Sequence, residues 1–114
     1  MEEHYKLYRV RELADNDEGF IKALAVTFTE EVPEDLKVLK KAVQDNNYNE
    51  TYQMAHKLKP TVDLFELGVL DDVIELQDWG KFEKKDLDIT HTFNKVITAI
   101  ESAVAEIKSD FDIS

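Results

Sequence analysis

The sequence predicts an all-α protein: an antiparallel four-helix bundle with additional N-terminal helical segments covering one end. Three observations lead there. Apolar residues recur at steps of three and four along most of the chain, the period of a helix that buries one face. Only three Gly and two Pro occur, all far apart, so few positions interrupt a helix. With 43% hydrophobic residues among 114, the chain can build one modest core but not two, and residues 1–114 are expected to form a single domain.

In chain order, a short helix is expected over Tyr5–Leu13, where Tyr5 and Tyr8 are spaced to pack it on the bundle, and "ADNDEG" then breaks it. A second helix begins near Asp17 and carries Phe20, Ile21, Leu24 and Phe28 on one side. Pro33 fits the first residue of a third helix, where its missing N–H is harmless, with Leu36, Leu39 and Val43 inward. "DNNYNE" reads as a turn, and Asn47 and Glu50 are spaced as an N-cap and its N3 partner. The fourth helix that starts there has Tyr48, Tyr52, Ala55, Leu58, Val62 and Phe65 on its apolar side. Asn49, Gln53, His56, Pro60 and Asp63 fall on the opposite side, so His56 is expected to face solvent. Gly68 marks either a joint or a tight contact. Another helix covers Val69–Trp79 with Leu70, Val73, Ile74 and Leu76 as its apolar set, and Gly80 ends it from the left-handed region. The last helix, Ile89–Lys108, is capped by Asp88 and buries Phe93, Val96, Ile97, Ile100, Val104 and Ile107; "SDFDIS" frays after it.

Composition removes several function classes. Twenty-five Asp and Glu against fourteen Lys and Arg give a net charge of -11, which repels nucleic acid and anionic lipid at long range. There is no cysteine, hence no disulfide, thiolate ligand or Cys nucleophile. Neither GxxxxGKS/T nor GxGxxG occurs, so nucleotide binding is not expected. His4, His56 and His91 are too dispersed for zinc, HExxH is absent, and the acidic runs lack EF-hand spacing, so no metal and no resident cofactor are expected. The start "MEEHYKLYRV" is charged and no apolar run is long enough to span a bilayer; a cytoplasmic location without membrane insertion is the expectation.

The chemistry concentrates in "MAHKLKP", Met54–Pro60. Neutral imidazole is a nucleophile available near pH 7 and can attack an electrophilic phosphorus. Lys59, three residues after His56, reaches the same helical face and can offset the charge of a phosphoryl group. Lys57 points further round, where partner docking or a contribution to the field is expected. Pro60 sets its nitrogen against the carbonyl of His56, which then lacks its helical donor; a bend or local opening of the His56 turn follows, either as a tolerated surface kink or as a compact neighbour that leaves the imidazole accessible. Asp63 is spaced to pair with Lys59, and Gln53, one turn before His56, is either a donor to phosphate or an ordinary surface glutamine.

"AHKLKP" resembles the signature A-H-x-L-K-G of histidine-containing phosphotransfer domains: Ala55, His56, Leu58 and Lys59 match, and Pro60 stands in the usual glycine position. Phe65 matches a further apolar position, Glu66 stands where the family often has a small residue, and "NNY" at Asn46–Tyr48 echoes a "GDW"-like helix start. The resemblance implies a helical bundle and a phosphohistidine at His56. It implies a phosphoryl carrier and not an autonomous enzyme, with Lys59 and Gln53 as phosphate-stabilising residues and Lys57, Pro60, Asp63 and Glu66 on the docking face. The implied partner is a receiver domain of a response regulator or hybrid histidine kinase, which would bring its own aspartate and Mg²⁺. The alternative expectation is a nonphosphorylated helical module that binds a receiver or sensor protein.

Overall fold

The computed structural model describes residues 2–114, and among them every regular element is helical: α1 (Tyr8–Leu13), α2 (Glu18–Gln44), α3 (Tyr48–Leu64), α4 (Leu70–Lys81) and α5 (Thr90–Asp110). Helices α2 to α5 form the bundle, each packed on the next, with α5 returning to α2. Short connections make successive helices antiparallel. The interior is drawn from one stripe of each helix, including Leu36 and Leu39, Ala55 and Leu58, Val73 and Leu76, and Val96 and Ile100. Phe28 of α2 meets Phe65 at the end of α3, ring centroids 4.6 Å apart.

The expected break before Pro33 is absent. Helix α2 continues for 27 residues with Pro33 inside it. The reason is the phase of its apolar stripe: Ile21, Ala25, Phe28, Val32, Leu36 and Leu39 are all buried and stay on one side across the proline. Breaking the helix would turn half of that stripe from the core, a larger loss than the ~3 kcal/mol of an interior proline.

The first expected helix is also shorter, because Tyr5 belongs to a strap and not to α1. The Tyr5 ring is 2% exposed, and its hydroxyl donates to Asp110 Oδ2 at 2.7 Å. The N–H groups of Glu3 and His4 donate to the Glu106 carboxylate, and Lys6 N–H donates to the Phe65 carbonyl at 2.8 Å. The strap therefore ties the C-terminal ends of α3 and α5 together. Tyr8, by contrast, is exposed.

Asp17 caps α2 by accepting from Phe20 N–H, and Asn47 caps α3 by accepting from Glu50 N–H. Asp88 Oδ1 accepts from Thr90 N–H at the start of α5. The C-terminal ends use left-handed residues that are not glycine: Asn46, Glu66, Glu83 and Asp112 all have positive φ. After α3, Leu67 N–H reaches the Val62 carbonyl and Glu66 N–H the Asp63 carbonyl, the paired bonds of a Schellman turn. Gly80 does not end α4; it lies inside the helix, buried against α3. Gly68, at φ +80° with open space around it, is the joint between α3 and α4.

Two stability predictions follow from these ends. Glu66→Gly relieves a side-chain-bearing residue at φ 52° and raises unfolding free energy by about 0.5–1 kcal/mol in urea titrations. Burial of Tyr5, and then its hydrogen bond to Asp110, raise the phenol above its ordinary value of 10.0. The folded chain thus holds the proton after the unfolded chain has released it. This contribution is complete below the unfolded value and is lost as pH rises beyond it. Tyr5→Phe costs about 0.5–1.5 kcal/mol near neutrality, and its stability falls less steeply than that of the parent above roughly pH 10.

Candidate functional site

Helix α3 holds its register because Ala55, Leu58 and Val62 are buried, with Thr51 fully buried beside them and satisfied by the Asn47 carbonyl. That register turns Gln53, His56, Lys57 and Pro60 outward, as the sequence predicts. The helix stays α-helical through Pro60, so the His56 carbonyl loses its donor without a break at that turn.

The imidazole of His56 is fixed from two sides. Its Nδ1 lies 3.2 Å from Oε1 of Gln77, on α4. With the amide oxygen turned to the ring, this contact favours the neutral tautomer that carries its proton on Nδ1 and has its lone pair on Nε2. One turn back along α3, the Tyr52 ring lies 6.0 Å from the imidazole between centroids, inclined at 34°. Gln77 is the site residue that sequence reasoning misses. Its only signal is position: it follows the buried Leu76 on the helix antiparallel to α3.

The lysines divide. Lys57 Nζ bonds Asp35 Oδ1 of α2 at 2.9 Å, and Asp35 is only 14% exposed. The hydrogen bond and charge of Asp35 raise Lys57 above its ordinary value. Lys57 thus bridges α3 to α2 on the flank of the site. Lys59, half-buried, has no ion-pair partner among the described residues.

The expected Lys59–Asp63 pair does not form. Asp63 instead accepts from Arg9 Nη1 of α1 at 2.9 Å, because α1 lies across the end of α3, a placement that spacing within one helix does not contain. Glu66 sits past the end of α3, about 15 Å along the axis from His56 at 1.5 Å per residue. Its Oε2 lies 3.5 Å from Arg9 N–H, so both acids face α1. Gln53 is exposed one turn before His56.

Among the described residues, no group of three or more His, Asp or Glu could hold a metal ion, and no helix is long and apolar enough to cross a membrane. No protein-family model, curated protein or solved structure matches the chain.

Proposed function

We propose that this chain is a phosphoryl carrier of the histidine-containing phosphotransfer type, with His56 as the acceptor. The observation that carries this reading is the exposed imidazole with Nδ1 within hydrogen-bond distance of Gln77 Oε1, an arrangement that suits Nε2 as the nucleophile. The Nε2 lone pair attacks the phosphorus of a receiver's aspartyl phosphate. The N–P bond forms as the P–O bond to the aspartate breaks, and that bond's electron pair leaves with the carboxylate. The Nδ1 proton stays on the ring, held toward Gln77, and Lys59 offsets the incoming negative charge. The receiver supplies Mg²⁺ and its acidic pocket, so this domain contributes position and nucleophile alone. The reverse exchange regenerates the free imidazole.

The partner is a receiver domain of a response regulator or hybrid kinase, met in the cytoplasm. Lys57 flanks the approach while tied to Asp35, and Pro60 leaves the next turn compact. The acidic chain does not attract nucleic acid.

Incubation with a panel of phosphorylated receivers tests this reading. The expected result is acid-labile, base-stable phosphate on the native chain and none on His56→Gln. Lys59→Ala keeps the fold and slows transfer about tenfold, the loss of ~1.4 kcal/mol of charge stabilisation. Lys57→Ala slows it less than about threefold, since that ammonium already has a partner. Tight receiver binding with no phosphate on the native chain would overturn the carrier reading in favour of a nonphosphorylated interaction module.

A further inference from the structure

The hydrogen bond between His56 and Gln77 joins two helices, so it depends on the separation between them. Gly80 lies on the same face of α4, one turn beyond Gln77, and is buried. A Cβ built on Gly80 would stand 2.5 Å from the Tyr48 carbonyl oxygen and 2.7 Å from the Tyr52 nitrogen. Both are backbone atoms of α3, in the turn immediately before the one that carries His56. No side-chain rotation can relieve such a clash.

We propose that Gly80 is a positioning residue for His56: by letting the backbone of α4 rest on that of α3, it sets the helix separation at which Gln77 Oε1 reaches the imidazole. Any side chain at this position drives the helices apart by about 1 Å to restore ordinary contact. At 3.2 Å the bond to His56 is already at the long end of the range, so a further ångström breaks it unless the Gln77 side chain re-extends. Without it Nδ1 has no fixed partner, and the ring is free to carry its proton on Nε2, the atom the carrier reading needs unprotonated. Tyr48 and Trp79 brace the same contact, their rings 4.7 Å apart, and Trp79 is itself anchored by donating to the Leu87 carbonyl. The separation therefore belongs to a rigid part of the bundle and not to a flexible edge.

The importance of Gly80 for transfer rests on the carrier reading, but its test does not. Multiple-bond proton–nitrogen correlation spectra of the isotope-labelled full chain report the tautomer of His56 directly, without phosphoryl donor, with His4 and His91 as internal references. The parent is expected to show His56 protonated at Nδ1. Gly80→Ala is expected to lose that form. Gly68→Ala, strained at φ +80° but touching nothing within 4 Å, is expected to lower stability and retain it. Gln77→Asn, shorter by one methylene at a half-buried position, is expected to lose the Nδ1–H form with the fold intact, and serves if Gly80→Ala does not fold. Retention of the Nδ1–H form in folded Gly80→Ala, or in Gln77→Asn where Gly80→Ala is unfolded, overturns the proposal. So does its absence from the parent, or an equal loss in Gly68→Ala. A phosphotransfer failure with the tautomer pattern as expected would count against the carrier reading alone.

Discussion

At Gly80 the backbone of α4 rests on the backbone of α3 between Tyr48 and Tyr52, and the side chains around that contact take their places from it. Beside it, Trp79 packs against Tyr48 with the rings tilted by 48°. One turn below, Gln77 meets His56. Backbone contact and aromatic packing thus share one level of the α3–α4 interface, with a polar bond at the surface beyond them. A glutamine reaching from one surface helix to another is ordinarily too mobile to fix a ring, because ordering its side chain costs about 1.5–2 kcal/mol of rotamer freedom. Here the short span between the helices limits the conformations it must lose.

Charge around the site follows from the same packing. The chain carries a net charge of -11, yet the lysines nearest the bundle's seams are consumed by acids of neighbouring helices: Lys57 by Asp35, Lys40 by Glu101 and Lys95 by Asp72. With their lysines 39–60% exposed, these pairs add little stability individually. Their effect along α3 is selective, because Lys59, three residues after His56, has no ion-pair partner among the described residues. Asp63, which sits at the right spacing to neutralise Lys59, is drawn off by Arg9. The short α1 helix therefore influences the site without touching His56.

What the sequence makes legible is what one helix decides for itself. The all-α class, the helix start near Asp17, the cap at Asn47, the buried stripe of α3 and the outward aspect of His56 all follow from spacing and residue chemistry within a single turn or two. What it hides is register between helices. Pro33 looks like a helix start because its local chemistry suits one; only the continuous stripe from Ile21 to Leu39, held against α3 and α5, makes the unbroken helix better. Gly80 near the end of α4 resembles a terminator by the same local logic, and its actual use is the approach of a second backbone. Gln77 and the Arg9–Asp63 pair depend on which turns face each other across the bundle, a relation that no window of one helix contains.

The strap completes this dependence. A helix whose exposed turn holds a proline four residues after the histidine has one fewer backbone bond at that level, so its C-terminal half would be the first to fray. The strap acts on that half: Lys6 N–H takes the Phe65 carbonyl just past the end of α3, and Tyr5 is buried and bonded to Asp110 of α5. Arg9 then holds Asp63, two residues further in. Helix α3 is thus held near both ends, by α4 through Gly80 at its start and by the N-terminal segment past its close. This allows α3 to remain a regular helix through Pro60, with that compact ring exposed one turn after the imidazole.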